Sequence, residues 1–194
     1  MLAYHGCDRQ IGEQILAGKE HLHPSQNAHD WLGHGIYFWE NNPERALHWA
    51  QFIQSRSDLF QGRIRSPFVI GAIIDPGTCL DLMEATSLAA VRSAYAEMEL
   101  AFEATETPLP VNQPSGNRDE DLVKRYLDCV VINYLHEIRK TTNLPPYDSV
   151  RGAFIEGRPL YPGAGIMEKT HIQICVRNPR QIRGYFRPQP ESDE

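Results

Sequence analysis

The run Ser66-Pro67-Phe68-Val69-Ile70-Gly71-Ala72-Ile73-Ile74-Asp75 constrains this chain more than any other segment. It is apolar and rich in β-branched residues, with Pro67 near one end and Pro76-Gly77 just past the other. β-Branched side chains favour extended backbone, and a continuous apolar run has no polar side to turn toward water. Such a run predicts a central strand buried on both faces. The rest of the chain must then supply a sheet around it and a layer on each side.

The two ends of the chain supply the strands. Leu2 to Cys7 has strand character, Asp8 is placed to cap a helix running to about Ala17, and Gly18 stops it. A polar loop over 19–32 leads to an aromatic strand from Gly35 to Trp39. Asn41 or Asn42 then caps a helix with Pro43 in its first turn and Ala46, Leu47, Trp49, Ala50 and Ile53 as packing residues. Cys79 to Leu82 is a further short strand. The middle is helical: Glu84 to Ala104, then a Pro/Asn/Ser/Gly linker from Thr105 to Gly116, then Asp119 to Lys140. In that last helix Leu122, Tyr126, Val130, Tyr134 and Ile138 fall four apart and predict the buried stripe.

Strands return afterwards. Val150 to Ile155 is one, and Gly157 to Lys169 is a loop rich in glycine and proline. From Thr170 to Val176, Ile172, Ile174 and Val176 alternate with His171, Gln173 and Cys175, which predicts one core face and one polar face. Gly184 to Arg187 closes the sheet. Strands at both ends with helices between them predict an α+β fold in one domain over 1–190, with a helical insert at about 84–142 and an acidic tail over 191–194.

A formal net charge of -6 argues against a broad, nonspecific grip on nucleic acid. Arg177, Arg180, Arg183 and Arg187 nevertheless gather near the C-terminus, as solvated strand-edge residues or as phosphate contacts. Four cysteines lie far apart with no paired spacing, which fits reduced thiols and no redox or zinc motif. His21, His23, His29 and His34 have irregular spacing and no cysteine among them, so no metal is expected. No signal peptide and no membrane-length apolar run is visible, which leads to the expectation of a cytoplasmic protein without membrane contact.

Two short motifs carry the functional reading. Tyr4-His5-Gly6 ends the first strand, and Gly33-His34-Gly35-Ile36-Tyr37-Phe38 enters the second. Each sets a polar ring beside a glycine, where backbone can approach a flat ligand closely. His5 is suited to grip a ribose and Tyr37 to stack on an aromatic ring, so a nucleotide-type ligand is expected. Together with the glycine-rich loop before a late polar-faced strand, these motifs resemble the ADP-ribosyltransferase superfamily, in the branch of diphtheria-type toxins and poly(ADP-ribose) polymerases. The resemblance covers about residues 2–55 and 147–187. It implies a split antiparallel sheet with flanking helices, and NAD as co-substrate.

On that resemblance His5 matches the histidine that binds the ribose hydroxyls, and the Gly6 backbone holds the carboxamide. Tyr37 packs on the nicotinamide ring, and His48 or Trp49 supplies a second ring face. Ser25, Asn27 or Asp30 would bond the nucleotide, and Arg158 or Tyr161 would face the acceptor. One position departs from the pattern. Where relatives with polymerase activity begin the late strand with glutamate, this chain has His171, with Gln173 two residues on. Either can hydrogen-bond but, when neutral, brings no countercharge, so chain polymerisation is not expected. Glu156 and Glu168 are the carboxylates near enough in sequence to substitute.

The resemblance thus implies a mono-ADP-ribosyltransferase acting on a protein or nucleic-acid acceptor, of the kind found among toxins, effectors and defence proteins, with a cognate inhibitor as a possible partner. The alternatives are a noncatalytic module binding NAD or ADP-ribose, an RNA 2'-phosphotransferase, for which this acidic chain offers no clear match, and a structural protein with His5 and Tyr37 both in its core.

Overall fold

The computed structural model describes residues 1–56, 64–114 and 122–189. Seven strands form one mixed sheet: β1 (Leu2–Asp8), β2 (Ile36–Glu40), β3 (Pro67–Ile74), β4 (Cys79–Asp81), β5 (Ser149–Phe154), β6 (His171–Val176) and β7 (Ile182–Phe186). Their order is β4-β5-β6-β2-β1-β3-β7, with β4 parallel to β5 and every other pairing antiparallel. The helices are α1 (Arg9–Leu16), α2 (Pro43–Ser55), α3 (Ala85–Ala104) and α4 (Tyr126–Thr141). The architecture is mixed α/β, consistent with the α+β expectation.

Local chemistry explains where the elements start. The Asp8 carboxylate accepts from the Gln10 amide at the head of α1 and also from the Arg65 and Ser66 amides, so one residue caps a helix and ties down the entry to β3. Asn42 caps α2 through the Arg45 amide, with Pro43 in the first turn as anticipated. Gly18, after α1, sits at φ 69°, a left-handed conformation that glycine adopts without strain.

The sheet is covered on both faces. On one, Ala3, Ile36, Phe38, Ala72, Ile74, Ile174 and Val176 form a core with Leu22 and Tyr185 against it, and α1 adds Ile15 over Cys7, Phe68 and Ile70. On the other, Leu32, Leu80, Ala94, Ile132, Leu135, Val150 and Cys175 join α3 and α4 to the β4–β5–β6 side. α2 lies over β1, β2 and β3.

Three expectations need correction. β3 is the sixth strand of seven rather than a central one, and Ile73 is 48% exposed. Its partner across the ladder is Gly184, which has no side chain to cover it. The helix expected from Asp119 begins at Tyr126, because Lys124 instead bridges to Gln113, while 119–121 lie outside the described residues. Its buried residues are Cys129, Val131, Ile132, Leu135 and His136, not the stripe four residues apart. A strict spacing of four drifts around a helix of 3.6 residues per turn, so that stripe leaves the packed side. Last, the side of β6 expected to be polar is roofed: His171 and Cys175 are 6% and 0% exposed.

Gly6 is fixed by packing. A Cβ there would run into the Ala46 carbonyl oxygen of α2 and crowd the Ala50 side chain. Gly6→Ala is therefore expected to cost about 1–3 kcal/mol, the scale of overpacking in a tight core. Urea melts of the two proteins check this, and equal midpoints would show that α2 can withdraw at no cost.

Candidate functional site

β1 and β2 are neighbours that barely pair. Ala3↔Glu40 and Tyr4↔Trp39 are in register, after which the strands part, whereas β1 and β3 pair from Leu2 to Asp8. The His5 ring lies in this split. Its Nδ1 is 2.7 Å from the Tyr37 carbonyl oxygen, and its edge meets the Phe38 ring at 5.7 Å between centroids. A carbonyl only accepts, so Nδ1 carries the proton and Nε2 keeps its lone pair. Burial lowers the His5 pKa, which holds the ring neutral. Nε2 has no hydrogen-bond partner among the described residues, so His5 offers a fixed acceptor at the split.

The two motifs meet through that backbone carbonyl and not through two converging side chains. His5 shares its face with Ala3 and Cys7, while Tyr37 projects to the other face with Cys175 and Leu32. The Tyr37 hydroxyl donates to the Gly33 carbonyl at 2.8 Å and accepts from the Leu32 amide at 2.9 Å. Burial raises its pKa well above the ordinary phenol value. Tyr37 therefore offers a ring surface and no acid or base. The same bonds fold the Trp31–Gly33 turn onto the sheet.

That turn brings Trp31 over β6, where its indole N–H donates to Gln173 Oε1 at 2.6 Å. The Trp31 ring meets Phe154 edge-on at 5.0 Å, and Phe154 stacks on His171 at 5.5 Å. Trp39 stands on the far side of His171 at 6.3 Å, followed by Trp49. His171 donates from Nδ1 to the Lys169 carbonyl at 2.7 Å, and burial brings its pKa down to about 4, so it is neutral near neutral pH. The sequence placed His171 and Gln173 on one face, and the structure agrees. What spacing could not supply is their committed bonding: Gln173 to Trp31, His171 to the backbone.

Charge next to His171 comes from elsewhere. The Glu156 carboxylate lies 3.2 Å from the Arg45 guanidinium and 3.7 Å from the Lys169 ammonium, with its side chain 19% exposed. The Lys169 amide donates to the Glu156 carbonyl, which seats this carboxylate on the extension of the β5–β6 ladder. Glu168 is instead in the loop, 3.7 Å from an exposed Arg158. Two buried donors in this region, Trp39 Nε1 and Arg45 Nε, have no hydrogen-bond partner among the described residues. Unsatisfied buried N–H groups are costly, and they mark where an oxygen-bearing group would be stabilised.

Sequence reasoning passed over Arg45, Trp31 and Trp39. Arg45 was hidden because one arginine near the start of an amphipathic helix resembles any solvated residue. The other named positions are more local. Ser25 and Gly35 form a backbone bridge, and the Asn27 side chain bonds Ser25 Oγ and Asp30. His48 is exposed, 3.7 Å from Glu44, and Trp49 is 42% exposed against Trp39 and Phe52. Three of the four C-terminal arginines have separate partners: Arg177 the His34 carbonyl, Arg183 Asp75, Arg187 Glu13.

His171 sets a pH dependence. Its folded pKa of about 4 lies below the ordinary 6.5, so as pH falls the unfolded chain takes the proton first. Stability is complete above about pH 6.5 and declines toward pH 4, by on the order of 3 kcal/mol for this group. Burial lowers His136 to about 3, and it acts in the same direction. His171→Gln is expected to flatten, without abolishing, the loss of melting temperature between about pH 7 and about pH 5. An unchanged slope would mean the ring is not held neutral.

No family model matches this chain, and no solved structure matches it. It is 29% identical over 202 residues to an uncharacterised protein of Methanocaldococcus jannaschii, a match covering 94% of this chain and 85% of that one.

Proposed function

We propose that this chain is a mono-ADP-ribosyltransferase, cleaving the nicotinamide–ribose bond of NAD and passing ADP-ribose to a macromolecular acceptor. The observation that carries the reading is His5: a neutral imidazole, fixed in one tautomer by the Tyr37 carbonyl, with its free acceptor nitrogen at the split between β1 and β2. Ribose hydroxyls are donors, and Nε2 is a ready acceptor for one. The parting of β1 and β2 within one seven-strand sheet, and the late strand with its glycine-rich approach loop, are further support for this reading.

NAD supplies the activated glycosidic bond. His5 orients the ribose, while Tyr37, on the other face of the sheet, fixes the carbonyl that holds the His5 tautomer. Breaking the bond builds positive charge on the sugar, of the kind glycosidases stabilise with carboxylates. Neutral His171 and Gln173 bring none, so Glu156 is the group for that role, two residues past β5 and paired with Arg45. Arg45 Nε and Trp39 Nε1 are donors suited to an amide or phosphate oxygen. With a single carboxylate already engaged by Arg45 and Lys169, one transfer is favoured over chain growth.

That same engagement favours a second reading, a noncatalytic module that binds NAD or ADP-ribose. A carboxylate neutralised by two cations contributes little countercharge.

Nicotinamide release from NAD in the presence of cell extract separates the two. His5→Ala is expected to lower release roughly tenfold, the loss of about one good hydrogen bond. Glu156→Gln is expected to lower it roughly a hundredfold, typical of removing one preorganised electrostatic group, while calorimetric NAD binding persists. Binding without release in the unsubstituted protein selects the module. Absence of any NAD binding ends both readings.

A further inference from the structure

The helical segment does not close fully on the sheet. Between α3, α4 and the β4–β5 edge lies a cleft of about 370 Å³, toward the lower end of the range of small-molecule sites. Its floor is Trp31, Leu82, Val91, Val131 and Ile132, drawn from a loop, the sheet edge and both helices. Leu88 stands at the mouth, 49% exposed. Two guanidinium groups line the same opening. Arg125 is held by Asp128 at 3.2 Å and lies over the Phe154 ring. Arg92 is exposed and has no hydrogen-bond or ion-pair partner among the described residues.

One cation uncommitted among the described residues, above an apolar floor, selects a ligand with one negative charge and an apolar body. Among the described residues a polyphosphate would meet one free cation, Arg92, and an uncharged apolar molecule would leave Arg92 unused. We propose that this cleft binds a small amphipathic monocarboxylate, an aliphatic or aryl-alkyl acid, with its body on the Val91–Val131–Trp31 floor and its carboxylate on Arg92. Asp128, beside Arg125, directs the head group toward Arg92 by like-charge repulsion. The site is separate from the split at His5 and does not depend on the transferase reading. It touches that region at one point, since the Trp31 indole forming its floor also donates to Gln173.

Octanoate and 4-phenylbutyrate are the probes, titrated by calorimetry and by tryptophan emission, with octan-1-ol as the uncharged comparison. Saturable binding at one site is expected, with an emission change that disappears in Trp31→Phe. Arg92→Gln should weaken octanoate about fivefold, the scale of an exposed charge pair, and leave octan-1-ol unaffected. Leu88→Asp should weaken octanoate about tenfold, through lost apolar contact and like-charge repulsion. Leu88 is exposed, so this variant keeps the fold, which its far-ultraviolet dichroism verifies. No saturable binding in the unsubstituted protein, or octanoate affinity equal across the unsubstituted, Arg92→Gln and Leu88→Asp proteins, would overturn the assignment.

Discussion

The bond from His5 Nδ1 to the Tyr37 carbonyl is the hinge of this structure. β1 needs partners on both sides, and on its β3 side it has a complete ladder. On its β2 side the ladder stops at Tyr4, and a side chain takes over the task of satisfying the next carbonyl. That substitution fixes the imidazole tautomer and sets the ring in a gap between strands, where burial keeps it neutral. It also leaves the Tyr37 backbone where its phenol can reach back to Gly33 and Leu32. The turn so anchored carries Trp31 over β6.

A second constraint follows from the close approach of α2. Gly6 admits the Ala46 carbonyl against the sheet, which brings the start of the helix, and Arg45 with it, toward the end of β5. Arg45 then meets Glu156 in a half-sheltered setting. An ion pair in such a place is worth more for geometry than for stability, because desolvation offsets much of its attraction. Here it orients a carboxylate through Arg45, whose charge also acts on the neutral His171 ring held between Phe154 and Trp39.

Most elements were legible from local patterns. Asp8 and Asn42 are side chains whose capping acts within a few residues, so their positions announce the helices they begin. The alternation from His171 to Val176 correctly paired residues by face. Its meaning was not legible, since period two says which residues share a side but not what lies above it. Trp31 is far from His171 in sequence and was unremarkable until the Tyr37 phenol folded its turn over the strand. The Tyr126–Thr141 helix shows the same limit: its helical character was plain, yet its buried side was set by where the sheet edge lay.

The sequence by itself determined the strands and helices, the caps between them and the two ring-and-glycine motifs, because each rests on contacts made within one turn or one strand. Tertiary structure alone decided that His5 and Tyr37 share a carbonyl instead of a cavity, that Glu156 rather than Glu168 meets Arg45, and that α3 and α4 leave a cleft. Those outcomes depend on distances between segments a hundred or so residues apart, as in the Arg45–Glu156 pair, and no local preference encodes such distances. They are set by how two covered faces of one sheet come to be filled.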